Sequence, residues 1–343
     1  MVGIGLIGYG HWGPNHARAF HAPPESRVVA VGDPDPARLD AARRALPGVR
    51  LMIDGPSLLD DPEVDAVVIA SPLSTHHELA RRALEAGKDV LVEKPICRTV
   101  AEADELIALA DSQSRILMCG HVFLFNAGIN RLRKYILDGE LGRVYYMAAT
   151  RTNLGPLRGD VNALYDLGSH DVSIFHHLLG TRPTEVAAWG QSYLQPGIED
   201  VTFACLEYPG QALCQMHVSW LNPRKERTLV VVGDRKMAVW DDTNPIEALR
   251  IYDKGMMADP YYDSFGQFQL VLRDADILIP KLAAEEPLKA QARHFLACVR
   301  ERSTPLADGV FARDVVAALE ALQRSLRDRG SRQPVRAGVA HAR

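Results

Sequence analysis

Three groups of residues have the types and spacing that chemistry needs. Glu93-Lys94-Pro95 puts a lysine at the end of an apolar run. A cation there can hold a substrate hydroxyl and a cofactor ribose together, although a lone lysine before a proline is ordinarily a surface residue. Asp166-Leu167-Gly168-Ser169-His170-Asp171 sets a carboxylate and an imidazole four residues apart, so that on a helix they share one face. The carboxylate can orient the imidazole, or both can reach one substrate, and histidine has the pKa of a general base near neutral pH. Taken alone, such a pair is more often a structural hydrogen bond. His176 and His177, further along the same segment, read as structural or surface residues. The third group is Gly8-Tyr9-Gly10-His11-Trp12-Gly13, lying between an apolar run and a helix-like segment that opens with Pro14. In a strand–turn–helix, Gly8 permits the tight turn, Gly10 lets the backbone approach a pyrophosphate, and Gly13 lets helix and strand pack closely. The helix start then turns its free N–H groups toward the phosphates.

These groups need elements to position them. Gly3-Ile4-Gly5-Leu6-Ile7-Gly8 also fits the glycine pattern, but no strand precedes it. The second match has a strand before it, a helix after it, and Asp33 about twenty residues beyond at the end of the next strand, as dinucleotide sites require. Strand-like runs at Gly3–Ile7, Arg27–Val31, Val64–Ala70, Asp89–Val92 and Arg115–Cys119 alternate with helix-like segments at Pro36–Ala45, Thr75–Ala86 and Val100–Ser112. That alternation implies a doubly wound parallel sheet, with ligands at the carboxyl ends of its strands. Ser71-Pro72-Leu73-Ser74-Thr75-His76 and Glu93-Lys94 both end strands at that edge.

After Val122 the texture changes. A helix at Asn126–Leu137, a strand at Arg143–Thr150, a loop at Thr152–Asp160 and a helix at Val161–Leu179 are expected. Strand runs follow, punctuated by Pro209-Gly210 and Gly233-Asp234. This reads as an α/β domain with a large, mostly antiparallel open sheet and a helix on one face. Two long helices, Pro287–Glu301 and Gly309–Arg329, close the chain. The expected division is 1–122 for dinucleotide binding, 123–330 for substrate binding and oligomerisation, and a mobile tail at 331–343. Asp241–Glu247 fits either a loop or a sheet edge. Asp253–Lys281, with Tyr261-Tyr262 and Phe265, fits a pocket lining or a subunit contact.

Composition excludes several classes of function. The chain has 343 residues, 47% of them hydrophobic, enough for two cored domains. Its net charge is −4, which argues against a general nucleic-acid binder, and no apolar run reaches membrane-spanning length. Met1–Ile7 reads as a strand and not a signal peptide. The five cysteines, Cys97, Cys119, Cys205, Cys214 and Cys298, form no C-x-x-C pair, so a reduced, cytoplasmic protein with structural thiols and no metal centre is expected.

In this order, Gly8–Asn15 (GYGHWGPN), Ala70–His76 (ASPLSTH), Glu93–Pro95, Gly120–Asn126 (GHVFLFN) and Asp166–His170 (DLGSH) resemble the Gfo/Idh/MocA oxidoreductases over nearly the whole chain. The resemblance implies a Rossmann domain, a second domain with an open sheet used for oligomer contacts, and a homodimer or homotetramer. It assigns Lys94, His170 and Asp166 to catalysis. Gly8, Gly10, His11, Trp12, Gly13, Asp33, Arg38, Ser71, Pro72, Leu73, His76, Glu93 and Lys94 would border the cofactor. Asp33 favours NAD by binding the ribose hydroxyls, and Arg38, close enough to neutralise a 2′-phosphate, keeps NADP as the alternative.

Gly120–Asn126, Arg151–Gly155 and Arg158–Asn162 resemble a branch acting on nucleotide sugars, which includes UDP-N-acetylglucosamine and -glucuronate 3-dehydrogenases. Lys94, His121, Asn126, Asn153, Arg158, Asp160, Asn162, Asp166 and His170 would then meet the substrate, with Arg158 on a diphosphate. The branch pattern Trp-Asp-Leu-Ala-Pro-His-Asp is altered here: Tyr165 stands for Trp and Gly168-Ser169 for Ala-Pro, which leaves the sugar open. The implied reaction interconverts a secondary alcohol and a ketone. Free-sugar or inositol oxidation and a non-catalytic dinucleotide-binding regulator are the alternatives.

Overall fold

Val2–Ile7 (β1) is buried at every position, as a strand covered on both faces must be. Ser26–Gly32 (β2), Arg50–Met52 (β3), Ala66–Ile69 (β4), Asp89–Val92 (β5) and Leu117–Cys119 (β6) join it in a parallel sheet of order β3-β2-β1-β4-β5-β6. Gly13–His21 (α1), Pro36–Ala45 (α2), His76–Glu85 (α3) and Val100–Ser112 (α4) connect the strands. Asp35 caps α2 through Ala37 N–H, and Thr99 with Glu102 forms a capping box on α4. The strand order reverses between β1 and β4, which makes the carboxyl edge beside them the ligand crevice of a doubly wound sheet.

The computed structural model describes residues 1–258 and 270–336, which divide into two units. The first holds 1–126 and returns for 285–320, and the second holds 127–284 and 321–336. This differs from the contiguous division read from sequence. The helix Pro287–Glu301, here α7 once the second unit's α5 and α6 are counted, belongs to the first unit. Its Leu288, Ala292 and Phe295 enter the core formed by Ile4, Leu6, Ala17 and Phe20, and the Phe20 and Phe295 rings meet edge to face at 6.0 Å. Amphipathic spacing says that a helix has an apolar face, but not which sheet the face will cover.

In the second unit, Ala127–Leu137 (α5), Val144–Leu154 (β7), Ser169–Leu179 (α6), Glu185–Gln191 (β8), Val201–Glu207 (β9), Leu213–Ser219 (β10), Leu221–Gly233 (β11), Met237–Asp241 (β12), Leu249–Ala258 (β13), Leu270–Leu278 (β14) and Gln333–Pro334 (β15) are present. Gly309–Arg327 (α8) contributes to both units. The sheet order is β14-β13-β12-β11-β7-β10-β9-β8-β15, antiparallel except where β7 lies parallel to β10. β7 runs on to Leu154, so the loop starts three residues later than expected. Gln333–Pro334 pairs with Glu185 and Val186, so the tail is an edge strand at that point. Asp253–Lys281 supplies the last hairpin strands, and Tyr261, Tyr262 and Phe265 lie outside the described residues.

Alternation gives this sheet two faces. Met147, Ala149, Ala204, Leu206, Cys214, Met216 and Val218 are buried on one of them. On the other, Trp189, Phe203 and His217 stand directly opposite one another across β8, β9 and β10, with Trp189 and Phe203 about half exposed. Among the described residues no helix is long and apolar enough to cross a membrane, and no cluster of ligating side chains could hold a metal. The five cysteines are free, and burial pushes the Cys97, Cys119 and Cys214 thiols up, away from reactivity.

Candidate active site

The glycine-rich turn closes against the β4 loop. Gly8 has φ +94°, and a side chain there would stand 2.7 Å from the Ala70 carbonyl oxygen. One at Gly13 would run into the Gly8 carbonyl. Only glycine fits at either position, as a backbone cradle for a pyrophosphate requires. No side chain caps the start of α1; Pro14 has no N–H and the Asn15 N–H donates to the Trp12 carbonyl at 3.0 Å, so the Gly13 N–H is the helix-start donor for a phosphate oxygen. Asp33 follows β2 as expected and is 1% exposed. Its Oδ2 accepts the Tyr9 N–H at 2.7 Å and its Oδ1 the Asp35 N–H at 2.9 Å, so it also anchors the turn. Arg38 approaches Asp33 Oδ2 at 3.5 Å and lies over Gly10. These residues fit a dinucleotide.

Lys94 leaves the end of β5 at the same edge. Glu93, read from sequence as a cofactor contact, is buried between His16 Nε2 at 2.7 Å and the Lys94 N–H at 3.0 Å. Burial pushes its carboxyl up, but His16 and Lys94 outweigh burial and hold it below the ordinary carboxylate value. His76 is held likewise. Its ring is buried between the Pro95 carbonyl at 2.9 Å and the Ser71 carbonyl at 3.0 Å, and burial pushes its pKa down. Glu93 has both oxygens on protein donors, and the neutral His76 ring, with one N–H to donate, sits between two carbonyls; together they hold the turn that carries Lys94. His121, also of the first unit, is 1% exposed, with its ring edge-on to Phe311. Asn126 is half-buried at the end of that segment, and His11 is exposed beside Trp12.

In the second unit, Leu164–Gly168 forms a π-helical turn leading into α6. Such wide turns recur at functional sites. Asp166 lies in it, and His170 is the second residue of α6 and 9% exposed. The indole N–H of Trp220 donates to Asp166 Oδ2 at 3.1 Å, and Arg158 Nε lies 3.8 Å from Asp166 Oδ1. Asn162, expected at the substrate, is tied to the protein. Its carboxamide donates to Glu199 at 2.6 Å and Gln323 at 2.8 Å and accepts the Tyr165 N–H, so it anchors the turn. Asn153 donates to the Gly155 carbonyl, and Asp160 is exposed on the loop.

Next to His170, Asp171 Oδ1 takes both Arg151 Nε at 3.0 Å and Nη2 at 2.8 Å, each partner 3% exposed. Burial pushes the Asp171 carboxyl up, and Arg151 pulls it back. The pair fixes α6 on β7. The sequence reading missed Trp220, although inward alternation through Cys214, Met216 and Val218 puts it on the buried face, where an indole N–H needs a partner. It also missed Arg151, Asp171 and His16.

The profile described as "Oxidoreductase family, NAD-binding Rossmann fold" matches residues 2–121, and that described as "GFO/IDH/MocA C-terminal domain" matches residues 129–239. The chain belongs to this family. It is an NAD-dependent oxidoreductase of a sugar-related family acting on CH–OH groups. Among its relatives, inositol 2-dehydrogenase 2 of Saccharopolyspora erythraea is 30% identical over 63% of this chain and 66% of its own. UDP-N-acetylglucosamine 3-dehydrogenase of Acidithiobacillus ferrooxidans is 28% identical over 92% of this chain and 94% of its own. A crystal structure of a UDP-N-acetylglucosamine 3-dehydrogenase from the same organism superimposes with a TM-score of 0.80 at 25% identity, covering 95% of this chain and 98% of the other.

Proposed function

We propose that the chain interconverts a secondary alcohol and a ketone on a nucleotide sugar, with His170 exchanging the hydroxyl proton and Lys94 stabilising the oxygen as charge develops. NAD, when bound, supplies the hydride acceptor. Asp166 steadies His170 or binds the sugar, and Arg158, whose fork matches phosphate oxygens, meets the diphosphate. The observation that carries the reading is the position of Lys94 at the carboxyl end of β5, on the ligand edge of an NAD-binding sheet. A nucleotide sugar is favoured by the relative that acts on UDP-N-acetylglucosamine and matches nearly the whole chain. Oxidation of a free inositol is the second reading, supported by the inositol dehydrogenases among the relatives, one of which also matches nearly the whole chain.

The test is NADH formation from UDP-N-acetylglucosamine, UDP-N-acetylglucosaminuronate, scyllo-inositol and glucose at matched concentrations. A kcat/KM at least about tenfold higher for a UDP-sugar, a difference of about 1.4 kcal/mol, supports the proposal. Better turnover of inositol replaces it with the second reading, and no turnover of any of the four overturns both.

A further inference from the structure

Trp220 is 1% exposed and lies where β10 gives way to β11. Its main chain is fixed on both sides: its N–H donates to the Asp200 carbonyl at 2.9 Å, and its own carbonyl accepts the Gly155 N–H at 3.0 Å. Asp200 is itself fully buried, and its Oδ2 takes the N–H groups of Tyr193 and Leu194. The indole packs with Ala163 and Val218, against Leu167 and Ile198. A ring held this way presents its N–H in one direction, and that direction is Asp166 Oδ2 at 3.1 Å.

An indole N–H donates and cannot accept, so it pairs with an acceptor oxygen and favours the carboxylate over the acid. Asp166 Oδ1 lies 3.8 Å from Arg158 Nε, so the two oxygens of this carboxylate face different neighbours. We propose that Trp220 is a positioning residue that pins Asp166 by Oδ2 and thereby fixes the orientation of the Asp166 carboxylate in the site. The proposal rests on the role given to Asp166 above. A tryptophan that only filled the core would owe nothing to its N–H.

The experiment replaces the N–H and keeps the shape. Trp220 is exchanged for benzothienylalanine, in which sulfur stands for the indole nitrogen, and Trp220→Phe serves as an independent variant. Turnover is read on the sugar that the wild type oxidises best. The kcat falls about tenfold, the low end of what one hydrogen bond to a charged group contributes, with NADH affinity unchanged and no further loss in an Asp166→Ala background. A second measurement needs no substrate. In protein labelled with 15N at the indoles, Asp166→Ala moves the Trp220 N–H resonance and leaves those of Trp12, Trp189 and Trp240 in place. An unmoved resonance overturns the proposal, as does full kcat in the isostere or an equal loss with and without Asp166. If Asp166→Ala keeps full turnover while the resonance moves, the role of Asp166 fails and the pinning stands.

Discussion

Asp171→Ala should lower the unfolding free energy of the second unit by about 3 to 5 kcal/mol, the cost of stranding one member of a buried ion pair. The structure puts the loss at this level because Arg151 and Asp171 are each 3% exposed, and Arg151 places two of its donors on one Asp171 oxygen. Arg227, the other cation acting on Asp171, is engaged by Asp242 at 3.2 Å and offers no relief. The assay is urea unfolding followed by tryptophan fluorescence in a Trp12→Phe background, since Trp189, Trp220 and Trp240 all lie in the second unit. Arg151→Ala should cost a similar amount, and Arg151→Met with Asp171→Leu should recover most of it, because packed apolar residues replace a buried pair at little cost. A loss below about 1 kcal/mol for either single change, or additive losses in the double variant, would refute the view that this pair locks α6 to β7.

Acid should destabilise the same helix. Burial depresses His176 to about 3 and His177 to about 4, against an ordinary value near 6.5. The unfolded chain then binds protons that the fold refuses, so stability is complete above about pH 6.5 and falls by about 2 kcal/mol per histidine by pH 5. A urea midpoint that stays flat from pH 8 to 5 would contradict this. NADH should bind more tightly than NADPH in a fluorescence titration, because Asp33 repels a 2′-phosphate, and tighter NADPH binding would hand control to Arg38. The row of Trp189, Phe203 and His217 on the open sheet face should be covered by a second copy of the chain. Light scattering should then give an oligomer at micromolar protein, and Phe203→Glu should lower the mass; a monomeric wild type would sink the idea.

The parts of the fold written in local sterics were legible. Gly8 and Gly13 are glycines because carbonyls crowd them, and the alternation of strand with helix gave the parallel sheet. The return of α7 to the first unit was not legible, since Leu288, Ala292 and Phe295 define a face without naming its partner. Nor was the parallel pairing of β7 with β10, because turn signals speak only for neighbouring strands. At the site, sequence named polar residues by segment and could not tell how their side chains are held. Glu93 and Asn162 are bonded to His16 and to Glu199 with Gln323, and the His76 ring is buried between the Pro95 and Ser71 carbonyls, none of which the segment alone announces. Only three-dimensional placement separates a group that meets a ligand from one that holds the loop beside it.

His170 is the proposed proton-exchanging group, and the direct test is His170→Ala assayed on the best sugar of the panel. General acid–base groups contribute about 10²–10⁴-fold in rate, so kcat should fall by that order while NADH affinity stays at the wild-type value. Lys94→Ala in parallel should lower kcat comparably and weaken sugar binding as well. Near-full kcat with an unchanged pH profile in His170→Ala, set against abolished turnover in Lys94→Ala, would make Lys94 the base and contradict the central claim.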